Sequence, residues 1–253
     1  MLKAILFDLD DTLLDWSGFQ LEWPHFERQF LQRVFDYVGK TAKPLPDLEA
    51  FVSEFHRRIF EAWRIGRGAL VAPNIGAVMI ETAEALGAPA GVLTVIGCLD
   101  AYEWGAVPGT KLFPEIPETL AFIREQGIKT AIVTNAAQPM IMRDREIQEH
   151  GLLEFFPECR ISAADVGILK PHPAIFQHTL QQLGVTADEA VFVGDNPIAD
   201  IAGAQGAGMQ AVLRITRPVP PMLSGLIVPD AAVNGMDELP RILDEWFPDW
   251  RNN

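Results

Sequence analysis

The stretch Leu2-Lys3-Ala4-Ile5-Leu6-Phe7-Asp8-Leu9-Asp10-Asp11-Thr12-Leu13-Leu14-Asp15 decides how the rest of the chain is read. Residues 4–9, apolar except for Asp8, have the pattern of a strand buried on both faces and hence of a central strand in a parallel sheet. The run ends in acids. Asp8, Asp10 and Asp11 put three carboxylates within four positions, and such charges repel unless a cation, a shared proton or water compensates them. A metal is the obvious candidate. Residues two apart on an extended chain project to one side, so Asp8 and Asp10 can address one volume beyond the strand's carboxyl end, where ligands bind in open α/β sheets. The alternative is an acidic turn in which Asp11 or Thr12 helps to cap the next segment.

Outward from this strand, the pattern changes twice. Residues 15–107 read as helix after helix: Phe26, Phe30, Val34 and Val38 recur every four residues, and Leu48, Phe51, Val52, Phe55, Ile59 and Trp63 form a stripe at three and four. Ile75, Val78, Met79, Thr82 and Leu86 make a third stripe, and Val92, Val95, Ile96, Leu99 and Tyr102 a fourth. Gly39, Gly66 and Gly87 sit where a glycine readily ends a helix. After residue 107, helices alternate with the strand segments 129–134, 190–193 and 210–213 and a weaker strand at 159–162; a proline-rich loop through Pro218, Pro220 and Pro221 and a helix over 237–246 close the chain. Such alternation predicts an α/β fold, a doubly wound parallel sheet of Rossmann-like type. The expected organisation is a core of residues 1–14 and 108–253 with an inserted helical bundle at 15–107.

Composition narrows the function classes. The chain has 253 residues, 49% of them hydrophobic, enough for a large core plus a smaller one. A formal charge of -14, with no basic block, disfavours nucleic acid and anionic membranes as partners. The two cysteines, Cys98 and Cys159, have neither metal-ligand nor disulfide-framework spacing, which suits a reducing compartment. The amino-terminal apolar run meets Asp8 and Asp10 too early for a signal peptide or a spanning helix. A cytoplasmic protein is expected.

The strongly apolar strands end in residues suited to phosphate chemistry: Asp8 and Asp10 after the first, Thr134-Asn135 after the second, Asp195 after 190–194. These ends converge in a parallel sheet, and Lys170, in a loop that Pro171 keeps out of helix, can reach the same crevice. Each has a plainer reading as well. Thr134 is a candidate helix cap, Lys170 a candidate solvated loop residue, and Asn196-Pro197 a good N-cap and first-turn pair with Asp200 favouring the helix dipole.

Taken in order, Asp8-Leu9-Asp10-Asp11-Thr12, Thr134-Asn135, Lys170-Pro171 and Gly194-Asp195-Asn196-Pro197-Ile198-Ala199-Asp200 resemble the four motifs of the haloacid dehalogenase superfamily of hydrolases. The resemblance covers about 1–14 and 108–240, and the helical insertion looks like the α-helical cap of that superfamily's first cap class. The roles it implies are specific. Asp8 would be the nucleophile that takes the phosphoryl group as an aspartyl phosphate, and Asp10 the general acid and then the base. The implied cofactor is Mg2+, held by the Asp8 side chain, the Asp10 backbone carbonyl, Asp195 and Asp200, the last directly or through water. Thr134 and the backbone N–H of Asn135 would hold phosphate oxygens, and Lys170 would offset charge on both the phosphate and Asp8.

Members that displace halide resemble one another in lacking the second aspartate of the first motif, so Asp10 favours phosphoryl transfer. The expected activity is a magnesium-dependent phosphohydrolase acting on a small phosphorylated metabolite: a sugar phosphate, phosphoglycolate or a nucleoside monophosphate. A phosphomutase is the alternative within enzymes, and a non-catalytic binding or regulatory protein, or a dehalogenase, stands further off. Arg57, Arg58 and Arg64 are expected to pair with glutamates on their own helix, Glu54–Arg58, Arg57–Glu61 and Glu61–Arg64 being suitably spaced. Arg67, in a glycine-flanked loop, is the better candidate for a ligand contact. Trp16 is expected near the exit to the insertion, as substrate wall or packing. His25 and His172 have no partner pattern that favours catalysis.

Overall fold

The apolar run of residues 4–7 becomes the inner strand of a sheet because its neighbours on both sides are equally apolar. A computed structural model describes residues 1–218 and 226–252. Its strands are β1 (Ala4–Phe7), β2 (Leu14–Asp15), β3 (Lys111–Leu112), β4 (Lys129–Thr134), β5 (Cys159–Ser162), β6 (Ala190–Gly194), β7 (Gln210–Arg214) and β8 (Ala231–Val233). Six of them form one parallel sheet of order β5-β4-β1-β6-β7-β8. Helices α1 (Trp23–Thr41), α2 (Leu48–Ala69), α3 (Ile75–Ala85) and α4 (Val95–Tyr102) make up the insertion; α5 (Ile116–Glu125), α6 (Met140–Glu149), α7 (Ala163–Val166) and α8 (Pro173–Leu183) belong to the sheet, as does the closing helix Leu239–Trp246.

Alternation along each strand divides the core into two layers. Ile5 and Phe7 join Ile132, Val191, Val193 and Val212 on one face, packed with Leu120 and Ile123 of α5 and Ile147 of α6. Ala4 and Leu6 join Ala131, Val133, Phe192 and Leu213 on the other, packed with Ile175 and Phe176 of α8. Each fully buried Leu, Ile or Phe here contributes about 1.5–3 kcal/mol relative to exposure. The fold is the α/β, Rossmann-like one expected. With all six strands of this sheet parallel, their carboxyl ends open on one edge, and the turn after β1 lies on it.

The helical insertion leaves and re-enters through a two-stranded ribbon that the sequence pattern did not reveal: β2 and β3 pair antiparallel, Leu14 with Leu112 and Asp15 with Lys111. Its apolar stripes converge on a cluster that includes Phe26, Phe30, Val34, Phe51, Phe55, Val78, Met79 and Tyr102 and that Ala137 and Met142, beyond β4, also join. Three details differ from expectation. Gly39 and Gly66 lie inside α1 and α2 rather than past their ends; at Gly66 a side chain would collide with the Val71 carbonyl, so its smallness serves close approach. Gly87, at φ +100°, does follow the end of α3. The fourth helix starts at Val95, where Thr94 accepts a bond from the Gly97 amide, and leaves Val92 and Ile96 exposed. In the proline-rich loop, Pro220 and Pro221 lie outside the described residues. No helix among the described residues is long and apolar enough to cross a membrane.

Candidate active site

The backbone of Asp8 continues the sheet one residue past β1, its N–H donating to the Val193 carbonyl at 2.9 Å. That bond fixes the carboxyl at the carboxyl-end edge. Beyond it the chain turns at once, with the amides of Leu13 and Leu14 both donating to the Leu9 carbonyl at 2.9 and 3.0 Å. Asp8, Asp10, Thr134, Asn135, Lys170, Asp195, Asn196, Ala199 and Asp200 line a single cleft of about 130 Å³. All seven residues picked from the sequence as site residues are therefore gathered there.

Lys170 is the hub of this cleft. Its side chain is only 1% exposed, and Nζ lies 2.7 Å from Asp8 Oδ1 and 2.7 Å from Asp200 Oδ1. The solvated-loop reading is thus excluded. Asn135 holds the lysine's backbone from across the cleft: the Lys170 N–H donates to Asn135 Oδ1 at 2.8 Å, and Asn135 Nδ2 donates to the Lys170 carbonyl at 2.9 Å. The peptide bond from Lys170 to Pro171 is cis. Asn196 is the N-cap it was expected to be, accepting from the Ile198 and Ala199 amides at 3.0 Å each. The Asn196 amide in turn donates to Asp200 Oδ2 at 2.9 Å. Thr134 is buried at the end of β4, while the N-cap of the following helix α6 is Pro139.

The electrostatics follow from burial. Desolvation pushes the Asp8 carboxyl up to about 8; Lys170 opposes this, and Asp200 and Asp10 add to it. Asp195 is pushed up to about 7, again by burial first and then by Asp200 and Asp11, with Arg217 opposing. Burial works against the Lys170 ammonium, yet Asp200 and Asp8 outweigh it and raise its pKa above the ordinary lysine value.

Asp8, Asp195 and Asp200 each present an oxygen within 4.8 Å of the others. Among the described residues, the cations touching this trio are Lys170 and, at its rim, Arg217, 3.7 Å from Asp195. Hard oxygen donors with negative charge left over fit a hard divalent cation such as magnesium. The Asp10 carboxyl stands apart from this trio. Its Oδ1 accepts from Trp16 Nε1 at 2.9 Å and from Arg143 Nη2 at 2.7 Å.

Arg143 and its neighbour Glu146 are the residues sequence reasoning missed. Their signal was present: in α6, Met140, Arg143 and Ile147 fall at helical spacing on the buried face, and Glu146 adjoins it. A buried arginine and glutamate on a core-facing stripe call for partners.

Arg57, Arg58 and Arg64 pair with glutamates of their own helix, with one change of partner. Arg57 and Arg58 both bind Glu54, at 2.7 Å each, and Arg64 binds Glu61 at 2.6 Å. Arg57 takes Glu54 rather than Glu61, and in every pair the acid is N-terminal to the base, the arrangement the helix dipole favours. Arg64 and Arg67 also border a groove of about 610 Å³ between α1, α2 and the loop after β4, with Trp23, Glu27, His56 and Trp63. His172 caps α8, its Nδ1 accepting from the Ala174 amide at 3.2 Å.

Residues 2–208 match the family of haloacid dehalogenase-like hydrolases. Among curated proteins, the chain is similar to a glyceraldehyde 3-phosphate phosphatase of Methanopyrus kandleri, at 32% identity over 86% of this chain and 85% of that one. It is also similar to a phosphoglycolate phosphatase of Cupriavidus necator, at 27% identity over 95% and 92%. Among solved structures it resembles a 2-haloacid dehalogenase from Pseudomonas syringae, with TM-score 0.63 and 26% identity over 97% and 100%. It resembles as well a HAD phosphatase from Thermococcus onnurineus, with TM-score 0.56 and 27% identity over 96% and 98%. A sheet edge that gathers these residues, in a chain matched over most of its length by one family, leads to one assignment: the chain belongs to the haloacid dehalogenase-like hydrolases.

Proposed function

We propose that the chain is a magnesium-dependent phosphatase of small phosphomonoesters, of the sugar-phosphate or phosphoglycolate type, acting through an aspartyl phosphate on Asp8. The observation that carries this reading is the buried contact of Lys170 with Asp8 and Asp200, with Asp10 opening onto the same cleft. A scaffold has no use for so many desolvated charges at one sheet edge. The relatives named as phosphatases of small phosphorylated metabolites support the substrate class.

In the first step an Asp8 carboxylate oxygen attacks phosphorus, the bond from phosphorus to the ester oxygen breaks, and Asp10 gives its proton to that oxygen as it leaves. In the second, Asp10 takes a proton from a water whose oxygen attacks the same phosphorus, and Asp8 is released as a carboxylate. Lys170, Thr134 and the Asn135 N–H hold the phosphoryl oxygens, and Lys170 reduces the repulsion between substrate and nucleophile. Asp8, Asp195, Asp200 and the Asp10 carbonyl would hold magnesium, which when bound would neutralise the charge that Lys170 alone leaves. Residues 15–107 act as a cap over a core of 1–14 and 108–253, shielding the reaction from water. Halide displacement would make no use of the Asp10 carboxyl in the cleft.

A panel of phosphomonoesters assayed with magnesium, with EDTA and with Asp8→Asn tests the reading. Phosphate release that needs magnesium and disappears in the variant is expected. No turnover of any ester, or full activity in Asp8→Asn, would overturn it.

A further inference from the structure

Asp10 is held at one oxygen and open at the other. Trp16 and Arg143 both donate to Oδ1, while no hydrogen bond among the described residues reaches Oδ2, and the side chain is 34% exposed where it borders the cleft. Arg143 is itself 4% exposed, with its guanidinium engaged behind Asp10: Nε lies 2.9 Å from Oε2 of Glu146, one turn on along α6. That glutamate oxygen also accepts from Trp104 Nε1 at 2.8 Å, and the Glu146 side chain has no exposed surface.

Three features argue that this chain of contacts serves Asp10 rather than the fold. A buried ion pair yields little net stability, because desolvation consumes most of the attraction. Arg143 is too deeply buried to bind substrate, and it lies behind the acid, not in front of it. Finally, both crossings between the sheet and the helical insertion feed the network: Trp16 follows β2 in the first, Trp104 precedes β3 in the second, and Trp23 of α1 lies between their rings at 6.4 and 6.0 Å.

We propose that Arg143, oriented by Glu146, is a positioning residue that fixes the Asp10 carboxyl so that Oδ2 faces the leaving oxygen of the substrate. The inference rests on the reading of Asp10 as acid and base. Glu146 holds the guanidinium in place as a buried counter-charge 2.9 Å away, not through a hydrogen bond at Nε, and the guanidinium and the Trp16 indole together hold the Asp10 carboxyl by Oδ1. As the bond from phosphorus to oxygen breaks, the proton on Oδ2 passes to the departing alkoxide; a carboxyl free to rotate would deliver it less often. The Trp104 indole ties this orientation to the second crossing.

The experiment compares kcat/KM, which reports the steps through departure of the leaving group, for two esters with magnesium. One is an alkyl phosphomonoester, whose alkoxide needs the proton; the other is p-nitrophenyl phosphate, whose phenolate leaves without it. Arg143→Lys and Glu146→Gln are each expected to cost about 30-fold or more on the alkyl ester and less than about threefold on the aryl ester, within the range that acid catalysis supplies. In an Asp10→Asn background, Arg143→Lys should add no further loss on the alkyl ester. Glu146→Gln carries the test if Arg143→Lys fails to fold. Equal losses on both esters, no loss on either, or a further loss in the Asp10→Asn background would overturn the proposal. Wild-type protein inactive on both would instead overturn the phosphatase reading beneath it.

Discussion

Raising the pH from about 6 to about 8 should tighten magnesium binding steeply, because two of the carboxyls that would ligate it are buried and hold protons there. With Asp8 pushed up to about 8 and Asp195 to about 7, two protons must leave, and the apparent affinity rises about 500-fold over that interval. Isothermal titration in buffers of different ionisation enthalpy reads both quantities. About two protons should be released per ion at the lower pH and fewer than one at the upper. Both carboxyls have folded pKa values above the unfolded value of 3.8, so the folded protein binds more protons than the unfolded chain between that value and about 8. The metal-free protein should therefore lose stability as pH rises through this window, and magnesium should restore it. Affinity that is flat with pH, or binding without proton release, would refute the argument that burial controls these acids.

Other perturbations follow from the same geometry. Lys170→Met removes the cation from between Asp8 and Asp200, should cost about 3–5 kcal/mol in urea unfolding of the metal-free protein, and should abolish turnover. Gly194→Ala sets a methyl group into the Asp200 carboxyl, so titration should show magnesium affinity reduced about tenfold or more while the far-ultraviolet spectrum stays that of the wild type. Arg57→Ala removes an exposed arginine paired only with its own helix, and kcat/KM should stay within about twofold of wild type with little change in melting temperature.

How much of this was legible beforehand depended on whether a residue's role is local or assembled. The segments at 129–134 and 159–162 match β4 and β5 residue for residue, the first because its apolar centre Ala131-Ile132-Val133 marks a buried parallel strand, the second on the weaker signal of Cys159 and Ile161 alternating with polar residues. The two-residue strands β2 and β3 and the three-residue β8 carry too little periodicity to be seen. In the cleft, Asp8, Asp10 and Asp195 follow strand ends, so parallel topology alone brings them together. Lys170 looked like a solvated loop residue when taken by itself, and its loop is held by contacts distant in sequence: the clamp from the Asn135 side chain and the Leu169 amide donating to the Leu70 carbonyl. Arg143 and Glu146 were missed because charged residues on a helix are usually solvated, and their burial arises from contacts with Asp10 and Trp104, 133 and 42 residues away in sequence. The glycines of α1 and α2 misled for a related reason: at Gly66 it is the close approach of Val71, not the end of a helix, that requires the residue.

Rapid mixing of the enzyme with a turned-over phosphomonoester and magnesium, followed by acid quench and peptide mapping, asks whether Asp8 carries the phosphoryl group. A phosphoryl group on Asp8 is expected, formed before steady-state phosphate release and absent in Asp8→Asn. Phosphate released with Asp8 never modified, or a phosphoryl group carried by another residue, would contradict an aspartyl phosphate on Asp8.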